Sequence, residues 1–243
     1  MGKTVLITGA AKRIGAECVQ FLHQQGCNVL LHYRSSEQQA LALADRLNVQ
    51  RADSVRLVQG DLLQMQAIEK VARAAQKNWG GIDVLVNNAS SFFSTPFGET
   101  TQALWDDIVG SNMKAPFFLT QMLAETLRQH QGSVVNVVDI HAERGLPGFA
   151  VNSMAKAGLV TMTKVLAKEL APLVRVNAIA PGAILWPEHD MLDIAKQAIV
   201  AKIPLARIGS PDAIAKAIWY LIQDADYVTG QVLTVDGGRT LCY

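Results

Sequence analysis

Neither sign of charge dominates this chain of 243 residues: 22 Lys and Arg stand against 21 Asp and Glu, a formal net charge of +1. So even a balance generates no field for a polyanion or an anionic bilayer, which argues against nucleic-acid and membrane partners. Cysteine is scarce. Cys18, Cys27 and Cys242 have no C-x-x-C or metal-ligand spacing, and their odd number suits a reducing compartment better than a disulfide scaffold. No uncharged apolar run approaches the roughly 20 residues that span a bilayer. The opening MGKTVLITGA enters a strand pattern at once, without the architecture of a secretion signal. His32, His141 and His189 form no spaced set, so no metal is expected. Linkers, repeats and low-complexity tracts are missing too. What remains is the pattern of a soluble, cytoplasmic protein, half hydrophobic and long enough to bury a sizeable core.

Short β-branched apolar runs recur at 4–8, 28–33, 54–58, 83–87, 133–138, 175–180 and 231–235. They are continuous rather than alternating, as strands covered on both faces should be. Helical periodicity fills the gaps, at 13–25, 37–48, 63–78, 101–130, 151–171 and 211–223. The alternation predicts an α/β fold: a single-domain, Rossmann-type, doubly wound parallel sheet of about seven strands flanked by helices. The stretch 183–210, holding Pro187 and Pro204 and running up to Pro211, is the least regular and reads as an insertion or lid.

Four strand ends carry polar or glycine-rich sequence. The first runs into TGAAKRIG (8–15), where a glycine turn lets the backbone approach a pyrophosphate at a helix N-terminus. Gly9 and Gly15 fit that pattern, but Arg13 replaces the middle glycine; its guanidinium suits phosphates or an anionic part of a substrate. The second ends in LLHYRSSE (30–37). It lacks the acid that binds a ribose 2′-hydroxyl, and Arg34, Ser35 and Ser36 stand there instead. That is either a plain loop with a serine N-cap or a seat for a 2′-phosphate, and with the first motif it favours NADP. The third gives GDL (60–62), with Asp61 a helix cap or a ligand. The fourth gives NNASSFF (87–93), whose buried amides need partners.

Together these landmarks resemble the short-chain dehydrogenase/reductase family. The likeness covers the whole chain: TGAAKRIG, NNAS, SNMKAPFF (111–118), Lys156 in NSMAK, RVNAIAPGAI (175–184) and YVTGQVLTVDGG (227–238) stand in the family's order. Arg13, the HYRSS loop, NNASSF and Asp139, where most members carry serine, resemble the pteridine reductase branch. The resemblance implies NADPH as cofactor, a pteridine or folate as substrate and a homotetramer as assembly. It places Gly9, Arg13, Ile14 and Gly15 at the pyrophosphate. His32, Tyr33, Arg34 and Ser35 form the cofactor loop, with Arg34 and Ser35 at the 2′-phosphate. Asp61 and Leu62 would lie near adenine, and Asn88, Ala89 and Ser90 near ribose and nicotinamide. Pro181, Gly182 and Ile184 would touch the nicotinamide amide. Phe92 would stack on the pterin ring. Ser90, Arg13, Asp139 and Trp186 would meet substrate, although a lid tryptophan packing between subunits fits Trp186 equally. Asn112 would support a water-linked proton path, and Lys156 would hold the nicotinamide ribose.

One position departs from the family. Asp139 precedes position 152 by the interval that the branch shows between its catalytic aspartate and tyrosine, yet residue 152 is asparagine. Asn152 and Lys156 are one helical turn apart and share a face. An amide donates and accepts hydrogen bonds but does not titrate in the useful range, so Asn152 is no general acid. Ser153 is adjacent, but the helix turns it about 100° away. Tyr33 belongs to the cofactor loop, while Tyr220, Tyr227 and Tyr243 lie far along the chain.

Overall fold

The computed structural model describes residues 2–186 and 192–242. Seven parallel strands form one sheet in the order β3-β2-β1-β4-β5-β6-β7. They are β1 (Thr4–Ile7), β2 (Asn28–Tyr33), β3 (Val55–Gln59), β4 (Val84–Asn87), β5 (Ser133–Val137), β6 (Arg175–Pro181) and β7 (Val232–Val235). Each starts and stops within a residue or two of the apolar run that marks it. The parallel registers, such as Val5 opposite both Val29 and Val84, keep successive side chains on opposite faces.

Both faces are covered, which is why the strands alternate so little. Val5, Ile7, Val29 and Leu31 join a core with α1 (Arg13–Gln24), α2 (Glu37–Gln50) and α9 (Pro211–Gln223). Leu6, Leu30, Leu85 and Val134 point the other way, into α3 (Met65–Lys77), α5 (Ala115–Gln129) and α7 (Ala150–Glu169). Local signals set several helix starts. The Ser210 hydroxyl accepts from the Ala213 N–H at 3.3 Å with Pro211 opening α9, and Thr101 accepts from the Leu104 N–H at 3.3 Å to open α4 (Gln102–Val109). Ser36 precedes α2 but makes no side-chain cap.

The expected helix 101–130 is two helices, α4 and α5, joined by a π-turn over Gly110–Lys114. Apolar periodicity cannot register the change, but Pro116 can: it has no N–H to return to the carbonyl of residue 112. Two short helices escaped the sequence pattern, α6 (His141–Arg144) and α8 (Asp193–Val200). The second lies inside the stretch read as least regular.

Candidate active site

The strand order reverses between β1 and β4, and open α/β sheets bind ligands at such a reversal, beyond the carboxyl ends of the strands. Loops leaving β1 to β4 enclose a groove of about 290 Å³ there. Its floor is the β1–α1 turn. Gly9 has φ +60°, and a Cβ on it would lie 2.8 Å from the Cα of Ala89. A Cβ on Gly15 would meet the Gly9 carbonyl oxygen at 2.5 Å. Both positions therefore need glycine for close approach of backbone to backbone. Asn88 ties the turn down, its Nδ2 donating to the carbonyls of Thr8 (2.8 Å) and Gly9 (3.0 Å), while Thr8 Oγ1 accepts from the N–H groups of Asn88 (3.0 Å) and Ala89 (2.9 Å). Its neighbour Asn87 serves the core instead, in a chain from Asn87 Nδ2 to Asn136 Oδ1 (2.9 Å) and from Asn136 Nδ2 to Thr163 Oγ1 (2.9 Å).

Arg13 stands where the pattern has glycine and keeps the glycine's left-handed backbone, at φ +54°. Such a conformation costs a non-glycine residue about 1–2 kcal/mol. Its Nη2 donates to the Trp186 carbonyl at 3.3 Å, reaching from the turn to the start of the 183–210 stretch. With Ile14 and Gly15 it opens α1, which has no side-chain cap and no acidic residue in its first turn. That helix start and its dipole suit a pyrophosphate.

His32 lines the groove, but its ring is fully engaged. Nδ1 accepts from the Gly9 N–H at 3.1 Å, and Nε2 donates to the Gly60 carbonyl at 3.0 Å. Burial drives its pKa down to about 4, a fall opposed by the Gly60 hydrogen bond and the Asp61 charge. The ring is a strut between the ends of β1, β2 and β3 rather than a donor to a ligand. Tyr33 also turns from the groove: its side chain joins the α1–α2 core and its hydroxyl donates to Glu37 at 3.4 Å.

At the far end Arg34 lines the groove with Asp61 and Leu62. Its Nε lies 3.2 Å from Asp61 and its Nη1 3.5 Å from Asp107, at the end of α4. Ser35 is exposed beside it. Asp61 caps no helix; its Oδ1 accepts from the Leu63 N–H at 3.1 Å in the turn before α3.

The other wall is built from β5, the π-turn and α7. Lys156 is buried, and its Nζ donates to the Val137 carbonyl at 2.7 Å. Burial lowers its pKa to about 8, and the nearby Asp139 charge opposes the fall. Asp139 lies two residues beyond β5, with Oδ1 accepting from the His141 N–H at 2.7 Å. Asn152 is only 2% exposed, and among the described residues its amide has no hydrogen-bond partner. Asn112 sits in the π-turn, donating to the carbonyls of Ser91 (2.8 Å) and Ile108 (3.0 Å), while its Oδ1 is buried without a partner. That orphaned acceptor is what a bound water would satisfy. Ser153, next to Asn152 but turned about 100° round α7, is occupied in accepting from the Leu146 N–H at 3.1 Å.

Above this wall the Phe92 ring is half exposed and stacks on Phe149, with centroids 4.5 Å apart and planes within 13°. Ser90 is exposed at the groove's edge. Pro181 ends β6 and Gly182 follows it, held by its N–H donating to the Val235 carbonyl at 3.0 Å and leaving no room for a Cβ against Asp236. The Ile184 side chain is buried in the core that includes α1 and α9. Residues 187–191, with Pro187 and His189, lie outside the described residues. The groove also contains Lys12, Leu63, Ser91 and Ser111, which the motif reading passed over. The two serines were visible in NNASSFF and SNMK as small polar residues at strand and helix ends. Phe149 carried no comparable signal.

Comparison with known proteins accords with this geometry. A family model described as Enoyl-(Acyl carrier protein) reductase matches residues 9–240. The chain belongs to the short-chain dehydrogenase/reductase family. It is 34% identical over 242 residues to the 3-oxoacyl-[acyl-carrier-protein] reductase FabG of Staphylococcus aureus strain Mu50, covering 98% of each chain. It is 36% identical over 255 residues to the FabG of Thermotoga maritima, covering 99% of this chain and 98% of that one. Pteridine reductase 1 of Leishmania tarentolae is 35% identical over 277 residues, covering 97% and 96%. The protein is thus a short-chain oxidoreductase, and similarity of this level does not separate the two substrate classes. Among the described residues no helix is long and apolar enough to cross a membrane, and no group of three or more His, Cys, Asp or Glu is placed to hold a metal.

Proposed function

We propose that the protein reduces a pteridine, taking a dihydropterin or dihydrofolate to its tetrahydro form at the expense of NADPH. The observation that carries this reading is the carboxylate of Asp139, set just beyond β5 close enough to act on buried Lys156 where most of the family has serine. The exposed Phe92 ring offers a flat surface to a heteroaromatic substrate, and the Leishmania relative bears a pteridine reductase name.

Bound NADPH would supply the hydride. Glycines 9 and 15 with the start of α1 would seat its pyrophosphate, Arg34 and Ser35 its 2′-phosphate, and Lys156 its nicotinamide ribose. Asp139 would fix a polar edge of the pteridine. Asn152 can orient a substrate or a water but cannot give up a proton. Losing a positioned general acid costs roughly 10²–10⁴-fold, or about 3–5 kcal/mol of barrier. Proximity and orientation contribute comparable terms, so hydride transfer persists where the proton goes to a nitrogen that water can reach. Reduction of a dihydro substrate therefore survives better than reduction of a fully oxidised pterin or folate.

A second reading is favoured by the FabG relatives: a carbonyl reductase acting on a 3-oxoacyl thioester or another ketone. It needs a proton at the ketone oxygen, where Asn152 penalises it most. A third, an NADP-binding sensor or scaffold without turnover, is favoured by Asn152 alone. Family likeness further suggests a cytoplasmic homotetramer with 183–210 as a substrate lid, and light scattering tests the assembly. The deciding experiment follows loss of reduced nicotinamide absorbance with dihydropteridines, ketones and 3-oxoacyl thioesters, for the chain as it stands and for Asn152→Tyr. Turnover confined to dihydropteridines supports the proposal. Turnover of ketones alone replaces it with the second reading, and cofactor binding without turnover in both proteins replaces it with the third.

A further inference from the structure

Arg34 is the cation on which NADPH selection rests, yet two carboxylates already hold it. Asp61 takes its Nε at 3.2 Å and Asp107 its Nη1 at 3.5 Å. The Asp61 contact comes from the groove itself, in the turn after β3. Asp107 arrives from a separate element, and it stands there at a cost. Its side chain is 23% exposed and its Oδ1 is buried with no hydrogen-bond partner, so part of its hydration is lost without replacement. Among the described residues, its only side-chain partner is Arg34.

One guanidinium between two carboxylates leaves a local charge of −1. A 2′-phosphate brings a further charge of about −1.5 to −2, and to reach Nη1 it must displace or face the Asp107 carboxylate. A dinucleotide without that phosphate presents a neutral hydroxyl at the same point and meets no such opposition. We propose that Asp107 is a specificity-determining residue: it clamps Arg34, offsets its charge and weakens discrimination in favour of the 2′-phosphorylated cofactor. This rests on the reading of Arg34 as the 2′-phosphate ligand.

The test is equilibrium titration of NADPH and NADH into the full chain, read by energy transfer from tryptophan, so that it does not depend on turnover. Asp107→Asn keeps the side chain's size and removes its charge; Asp107→Ser is a second variant should the amide perturb the π-turn, and thermal melts accompany both. NADPH should bind about 3- to 10-fold more tightly to the variants, with NADH changed less than about twofold and the gain shrinking at high salt. In Arg34→Ala, NADPH should weaken, and adding Asp107→Asn should then recover less than it gains in the parent. An unchanged or weakened NADPH affinity in folded Asp107 variants, or an equal gain for NADH, overturns the proposal. If Arg34→Ala leaves the NADPH to NADH ratio unaltered, Arg34 is not the phosphate ligand, and both that reading and this proposal fall; a drop in NADPH affinity there, without the Asp107 effect, removes the proposal alone.

Discussion

Lys156 donates from Nζ to the Val137 carbonyl at 2.7 Å, on the same buried wall as Asn152. Its pKa, lowered to about 8 by burial and partly restored by Asp139, has a signed consequence. An unfolded chain holds that proton to about pH 10.4. Below pH 8 both states are charged and the cost of burying the cation is fully present. Between about 8 and 10.4 the native state sheds the proton first and the cost is lifted. Urea unfolding at pH 7, 8 and 9.5 should therefore show the stability of the parent rising relative to Lys156→Met. A difference that stays flat with pH removes the depressed pKa.

Asn152→Tyr restores a titratable hydroxyl to α7 without changing its neighbours Lys156 and Asp139. Oxidised pterin or folate reduction should rise about 10²–10⁴-fold, and dihydro substrates by clearly less. Steady-state kcat on paired substrates measures this. Equal gains for both would remove the distinction drawn between the two steps.

His32 is expected to act through the turn it braces. His32→Phe keeps ring volume but loses the bonds to Gly9 and Gly60, so NADPH affinity should fall about tenfold while kcat at saturation holds within about twofold. The ring must be neutral at Nδ1 to accept from Gly9. Its folded pKa of about 4 lies below the usual 6.5, so its stabilising contribution is complete above pH 6.5 and is lost as pH falls toward 4. The charges acting on the ring are Asp61, which favours protonation, and Lys70, which opposes it. Urea unfolding of the parent and variant from pH 4 to 7 checks that slope, which should be shallower in His32→Phe.

Gly9→Ala brings a methyl to within 2.8 Å of the Ala89 Cα at a backbone φ of +60°. The expected loss is about 1–3 kcal/mol of stability together with cofactor binding, seen in denaturant midpoints and titrations. A variant with parental stability and affinity would show that the turn relaxes freely.

Much of this was readable in the residues. Buried parallel strands leave unbroken runs such as TVLIT and NVLLHY, and their ends name the groove, since Gly9, Arg34, Asp61 and Asn88 all border it. What stayed hidden depends on contacts between distant segments. Arg34 was legible as a cation but not as one already paired, because Asp107 lies 73 residues away. His32 and Tyr33 are adjacent letters at the end of β2, yet the pleat sends one to the turn after β1 and the other to the core. The left-handed backbone at Arg13 was equally out of reach: residue type argued against it, and only the turn's geometry imposes it.

The π-turn at Gly110–Lys114 has a mutational consequence of its own. It accommodates one residue more than an α-helical turn of the same rise, and Asn112 faces Ser91 because of it. Deleting any single residue between 110 and 114 would therefore let the two helices fuse regularly with little change of rise or phase between α4 and α5. Such a chain would keep nearly all its helical content and its core residue types, and yet lose the widened turn in which Asn112 reaches the Ser91 carbonyl. Length, more than residue identity, is what opens this turn.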